Sequence, residues 1–280
     1  MRLVLLTALT MCAFAANSVL NRLAVDSSAA DPGAFAALRV LAGAVMLAAL
    51  VLLRGGTIPL GSRRRLVGAG SLTLYMVGFS LAYLSLDAGL GALILFGVVQ
   101  IGIFAVSAMY KTVQTPRQIL GALVAFAGLA WVLWPGAGAE ADPFGALCMT
   151  LAGAGWAAYT LAGRAEPDAL SATAANFVLA FPLTALALVV VNAGWSMTPS
   201  GAGLAILSGA VTSGLGYALW YRLVPRLAAP VTATVQLSVP VIALASGLLF
   251  LGESVPPALL VGAVVVLGGI ALASFPTRRG

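Results

Sequence analysis

No histidine occurs in these 280 residues, and only 8% of them are charged. Each shortage excludes something. Membrane enzymes need a titratable group to activate water or a nucleophile. Here no acid lies at the centre of an apolar run, and there is no HExxH, no paired acidic motif and no phosphate loop. The chain is therefore not expected to be an enzyme or, on its own, an ATP-driven pump. No cofactor and no metal are expected. The two cysteines, Cys12 and Cys148, both sit within apolar runs. They read as small apolar packers, without the spacing of a disulfide or metal site.

What the chain has instead is apolar sequence. Hydrophobic residues make up 61% of it, more than a soluble fold can cover with polar surface. Runs of the length a helix needs to cross hydrocarbon recur at 3–21, 32–53, 65–86, 89–109, 116–134, 144–163, 170–191, 201–222, 229–250 and 256–275. The connections between them leave no room for a soluble domain. The last five runs repeat the first five. At an offset of 141 residues Pro116 meets Pro257, Gly121 meets Gly262, Gly128 meets Gly269 and Pro135 meets Pro276. At an offset of 142, Phe14 meets Trp156, Arg22 meets Arg164 and Tyr75 meets Tyr217. An odd number of spans per repeat reverses the side from which the second begins. The expectation is an all-α membrane protein of ten transmembrane helices, built as two inverted five-helix repeats, 1–138 and 139–280. That is the architecture of alternating-access carriers.

The net charge of +6 marks orientation rather than a nucleic-acid partner. With the N-terminus in the cytoplasm, Arg2, Arg54, Arg63, Arg64, Arg65, Lys111, Arg117, Arg164, Arg222, Arg226, Arg278 and Arg279 fall inside. Only Arg22 falls outside, and Arg39 lies within a span. Asp26, Asp31, Asp87, Glu140, Asp142 and Glu253 fall outside. This bias places both termini in the cytoplasm. The expected partners are the lipid bilayer and a small-molecule substrate. Arg2, the apolar run after it and AFAA (13–16) imitate a cleavable secretory signal. The first run is nevertheless the repeat partner of the sixth, and is expected to remain.

Arg39 is the one plain charge inside a span, about 10 Å from the outer end at the helical rise per residue. Such a charge is costly and marks a functional site by default. Two readings stand. Its stem snorkels toward headgroups or its guanidinium ties helix ends through carbonyls, or the guanidinium binds a substrate carboxylate. Aromatic and amide residues form stripes at helical spacing, which also arise from packing alone. A buried amide still has to find partners. Nearest the midplane lie Asn17, Tyr75, Gln100, Trp156, Tyr217, Trp220 and Gln236. Together with Arg39, Phe79 and Tyr159 they form the expected substrate site, lined by spans one, three, four, six, eight and nine. Tyr83 and Tyr221 suit an interfacial belt. Pro182 and Pro240 bend spans seven and nine or serve as hinges. GALVAFAG (121–128) and GAVVVLGG (262–269) are packing faces, within one molecule or between two. Asp87 and Glu253, at span ends, are expected to titrate near a free carboxyl's value, about 4, and so to carry no proton cycle at neutral pH.

Three stretches resemble the EamA-type branch of the drug/metabolite transporter superfamily: FAALRVLAG (35–43), QLSVPVIALASG (236–247) and LFLGESVPPALLVGAVVVLGG (249–269). Gly252 and Glu253 match that family's glycine–glutamate at the end of span nine, and AMYKTVQTPRQILGA (108–122) lacks its counterpart. The resemblance covers essentially the whole chain. It implies a bacterial inner-membrane carrier exporting small metabolites, amino acids foremost, with an aromatic path similar to that of aromatic amino-acid exporters. An organophosphate or nucleotide-sugar antiporter, and a channel or scaffold without a transport cycle, are the alternatives.

Overall fold

A backbone in hydrocarbon has to satisfy its own polar groups, so long apolar runs fold as helices. The structure, a computed structural model, describes residues 2–109, 115–134, 141–163, 166–223, 226–227 and 235–274. Among them eight helices are long and apolar enough to cross a membrane. They are α1 (Arg2–Asp26), α2 (Pro32–Leu53), α3 (Arg63–Ala82), α4 (Ala88–Met109), α5 (Pro116–Leu133), α6 (Pro143–Gly163), α7 (Ala169–Val190) and α8 (Pro199–Leu223). Two shorter apolar helices follow, α9 (Ser238–Leu251) and α10 (Pro257–Ser274). No strand occurs among the described residues beyond a single bridge of Ala30 with Met197. Lys111, Pro135, Glu140, Arg164, Pro276, Arg278 and Arg279, used in the repeat or the charge sorting, lie outside the described residues. So do the first residues of the expected ninth span.

Local chemistry sets several helix starts. Proline opens α2, α5 and α8, where its missing donor costs nothing. Thr115 and Gln118 form a capping box on α5, Thr198 accepts from the Gly201 amide on α8, and Asp168 accepts from Ser171 on α7. Pro182 lies inside α7. Two helices change their bonding: α8 runs as a π-helix over Leu207–Leu215 and α9 ends as one over Gly247–Leu251.

The extensive contacts cross between the halves of the chain: α3 packs on α6, α5 on α10, α2 on α7, and α4 on α9. α1 packs along the π segment of α8, and α3 along α7. The connections gather at two ends. At one, the amides of Asp31, Gly33 and Thr198 bond Ser196, Ala193 and Ala29, and Asp142 bonds Ser85. Glu253 reaches Ala88 there. At the other, Arg54 and Arg65 reach Asp168 and Glu166. These are called below the acidic end and the basic end.

The two glycine-rich faces meet each other within one molecule. A Cβ at Gly121 would stand 2.5 Å from the Ala273 nitrogen, and one at Gly128 would stand 2.9 Å from that of Val266. A Cβ at Gly269 would lie 2.4 Å from the backbone of Ala125, whereas one at Gly268 would meet nothing within 4 Å. α5 and α10 thus touch backbone to backbone, the close approach that small residues permit in lipid. Gly269→Ala should therefore destabilise by about 1–3 kcal/mol, the range for overpacking, and lower the melting midpoint in detergent. Gly268→Ala, one residue away, should leave it unchanged. Equal midpoints for the two variants would refute this packing.

Candidate functional site

Arg39 is completely buried, and its partners are hydroxyls and rings rather than an acid. Its Nε and Nη2 donate to Ser213 Oγ at 3.3 and 3.2 Å, and Nη2 donates to the Tyr75 hydroxyl at 3.1 Å. Its guanidinium carbon lies 4.8 Å from the centre of the Phe79 ring and 5.6 Å from that of Tyr75, both within cation–π range. Nη1 has no hydrogen-bond partner among the described residues. The snorkelling reading is thus corrected. α2 packs on α7 and on the π segment of α8, and the head group is buried in that packing rather than turned to the surface.

The π segment explains how this network forms. Ser208, Thr212 and Ser213 donate to one atom, Asn17 Oδ1, at 2.9, 2.6 and 3.2 Å. In an α-helix five residues make about 1.4 turns, so Ser208 and Ser213 would face apart. The i→i+5 bonding of a π-helix brings them back onto one face. Glycines let this face approach α2, since a Cβ at Gly209 would stand 2.1 Å from the Arg39 carbonyl oxygen. Ser213 then serves twice, accepting from Arg39 and donating to Asn17.

Beside this network lies a nest of rings. Trp156 is 5.0 Å from both Tyr75 and Tyr217 between ring centres, and stacks on Tyr159 at 5.5 Å. Phe14 meets Trp156, Tyr217 and Trp220 edge-on, and Tyr75 leads to Phe79 and Phe79 to Tyr83. Between them is a small cavity of about 10 Å³, room for one water. α1, α3, α4, α6 and α8 line it, with Asn17, Tyr75, Phe79, Trp156 and Tyr217 contributing. Eight of the ten expected residues are therefore brought together: Asn17, Arg39, Tyr75, Phe79, Trp156, Tyr159, Tyr217 and Trp220 are buried and joined by these contacts. Gln100 and Gln236 are half-buried and outside the cavity lining, and α9 gives it no residue. Tyr83, expected in an interfacial belt, is instead fully buried against Phe79. The sequence reading missed Ser208 and Thr212, whose convergence with Ser213 needs the π register, and Phe177, which meets Tyr217 at 5.8 Å.

Ionic clusters lie at both ends. At the basic end Arg65, 3% exposed, pairs with Glu166 and donates to the Ala172 carbonyl at 2.9 Å and Asn176 Oδ1 at 3.2 Å. Arg54 binds Asp168 and Ser171. That bond from Arg54 holds the Asp168 carboxyl down to about 2. At the acidic end Arg22 reaches Asp26 at 3.2 Å, Asp87 at 3.5 Å and Glu253 at 3.8 Å. Gly252 takes a left-handed turn at φ 67° and folds Glu253 back. The carboxylate then accepts from the Ala88 amide at 2.8 Å, at the first turn of α4. A Cβ at Gly247 would strike that carboxylate.

Sequence matches with known proteins run the length of the chain. The EamA-like transporter family matches residues 143–275. An uncharacterised protein of Pseudomonas aeruginosa is 45% identical over 278 residues, covering 98% of this chain and 95% of that one. The uncharacterised transporter YwfM of Bacillus subtilis is 27% identical over 166 residues, 57% of this chain and 55% of its own. A solved crystal structure superposes with a TM-score of 0.70 at 19% identity, over 99% of each chain. That last likeness is one of fold.

Asp87 and Glu253 do not keep an ordinary carboxyl value, contrary to expectation. Burial pushes both up. For Glu253 the Ala88 amide opposes the rise, Asp87 adds to it, and Arg22 opposes it. Closure of this end thus makes both carboxyls harder to ionise than they are in water. Opening it to water restores the ordinary value and releases a proton, so opening is favoured as pH rises through the window above 4.5, the free glutamate value. Infrared titration should show a protonated carboxyl that disappears in Glu253→Gln. Its midpoint should rise in Arg22→Gln and fall in Asp87→Asn. The same direction in both variants would contradict the assigned cluster.

Proposed function

Because the chain belongs to the EamA-like transporter family, of the drug/metabolite transporter superfamily, we propose that it exports small metabolites, amino acids foremost and aromatic ones among them, by alternating access. A multi-pass membrane transporter of this family needs a central place where substrate leaves water. The observation that carries the proposal is the aromatic, amide and arginine cluster around Asn17, Arg39, Tyr75, Trp156 and Tyr217. It sits deep among helices drawn from both halves of the chain and is sealed at each end by ion pairs.

The two halves, 1–138 and 139–280, act in this proposal as inverted repeats of five spans each. The contact pattern supports the exchange: α3 on α6 corresponds to α8 on α1, and α4 on α6 to α9 on α1. Pairs α2–α7, α4–α9 and α5–α10 each join corresponding elements. The basic end faces the cytoplasm of a bacterial cell, with both termini there, as the positive-inside bias requires. Alternating access then means opening the Arg65–Glu166 end and the Arg22–Glu253 end in turn.

The central cluster holds no carboxyl group or histidine among the described residues, which supports facilitated diffusion or exchange rather than a proton carried at the binding site. Glu253 and Asp87 are places where pH acts on opening. The tight midplane packing is what a scaffold without a transport cycle would show. Against that reading stands Arg39, whose buried charge a purely structural core gains nothing by keeping. One central cation is also too few for the dianion of an organophosphate antiporter.

Counterflow of labelled L-phenylalanine into proteoliposomes should proceed without an imposed pH gradient or membrane potential. Aromatic contacts contribute about 0.5–2 kcal/mol each. Trp156→Ala, Tyr217→Ala and Trp220→Ala should therefore weaken transport by up to roughly thirtyfold, in variants that still insert and elute as the parent does. Parent-like transport by all three would place the site elsewhere. Accumulation that appears only with an inward proton gradient would overturn the uncoupled cycle.

A further inference from the structure

A zwitterion and a monoanion present different demands to the cluster around Arg39. The guanidinium is fully buried, and among the described residues no aspartate or glutamate pairs with it and its Nη1 has no partner. A buried charge without a counter-charge is costly, and the cost falls when a ligand supplies the opposite charge. Phe79 and Tyr75 cover part of the cation with their faces, which softens the cost without cancelling it.

The acceptors tell the complementary half. An ammonium entering this cavity would have to exchange its water for an acceptor. Asn17 Oδ1 already takes three hydroxyl bonds. Ser213 Oγ and the Tyr75 hydroxyl already accept from Arg39. The other lining residues with polar atoms are Ser18, Tyr217 and Trp156, and the Trp156 indole can only donate. The paired carboxylates among the described residues lie at the ends, on Arg22, Arg54 and Arg65. A carboxylate therefore finds an unspent charged donor next to the lining residues Tyr75 and Phe79, whereas an ammonium finds ring faces and hydroxyls but no carboxylate among the described residues.

Resting on the carrier reading above, we propose that the recognised group is the substrate's carboxylate, held by Arg39, and that the amino group is dispensable. The favoured class is then monoanionic carboxylates bearing an aromatic or bulky apolar body. Such a ligand brings the cluster to neutrality and, once the rings part to admit it, takes their faces. An amino acid of the same shape leaves a net positive charge there. A dianion leaves a net negative one.

The test uses the full chain in lipid nanodiscs and proteoliposomes, with phenylpropionate, L-phenylalanine and phenethylamine as probes. They share the phenethyl body and differ only in charged groups. Phenylpropionate should bind at least about tenfold more tightly than L-phenylalanine, and phenethylamine should not compete. Arg39→Gln should lose phenylpropionate binding by roughly a hundredfold. Arg39→Lys, which keeps the charge if the glutamine variant fails to fold, should retain part of it. Counterflow of L-phenylalanine with no binding of phenylpropionate would overturn this inference and leave the carrier standing. So would phenylpropionate binding that is unchanged in both Arg39 variants. Absence of counterflow and binding with all three probes would overturn the amino-acid assignment and this inference together.

Discussion

A guanidinium buried at the centre of the helix packing, without an acid beside it, sets the conditions for everything around it. Arg39 is tolerated because its charge is spread over hydroxyl oxygens and the faces of two rings. Those partners have to be delivered at close range by helices other than α2. The π segment of α8 brings Ser213, α3 brings Tyr75 and Phe79, and α1 brings Asn17 to hold Ser213 in turn. The glycines at 43 and 209 follow from the same demand, since a Cβ at either would strike an aromatic ring or the Arg39 carbonyl.

Charge is handled differently at the ends of the molecule. There arginines meet carboxylates directly, and the pairs join connections far apart in the chain, as Arg65 with Glu166 and Arg22 with Glu253 do. A half-exposed pair such as Arg54 with Asp168 contributes little to stability once water screens it. Its value lies in tying the α2–α3 connection to the start of α7. The better buried clusters are different. A carboxylate such as Glu253, which caps a helix from another part of the chain, couples its protonation to whether two helices touch. Only the ends carry titratable acids among the described residues; in the carrier proposed above the centre binds and the ends decide access.

Much of this was legible before the structure, for physical reasons that differ by region. Helix positions follow from the length needed to cross hydrocarbon. The aromatic stripe Tyr75, Phe79, Tyr83 was readable because α3 keeps the regular period, and the rings do line up. Arg39 was found because an intramembrane charge is rare. Gln100 and Gln236 lie outside the cavity lining, since polarity alone says nothing of which face a residue takes. Ser208 and Thr212 were missed because the period changes under them. The raised carboxyls were missed because burial of Glu253 depends on α4, 165 residues away. No spacing rule reports that. The glycine faces of α5 and α10 were visible as faces, while their partner became clear only from backbone distances.

The change of bonding within α8 has a consequence for how this chain is compared with its relatives. A π-helix turns through less angle per residue than the roughly 100° of an α-helix, so α8 changes phase along its length. Residues before 207 pack toward Ala30 and Phe35, while Tyr217 and Trp220 after it face Phe14. A single helical wheel drawn through all of α8 mixes the two faces. A relative whose corresponding helix is α-helical throughout will align faithfully before the segment or after it, and not both without a gap. Chimaeras joined inside 207–215 will rotate one face away from its partners, whereas junctions in the connections flanking α8 will carry the offset intact.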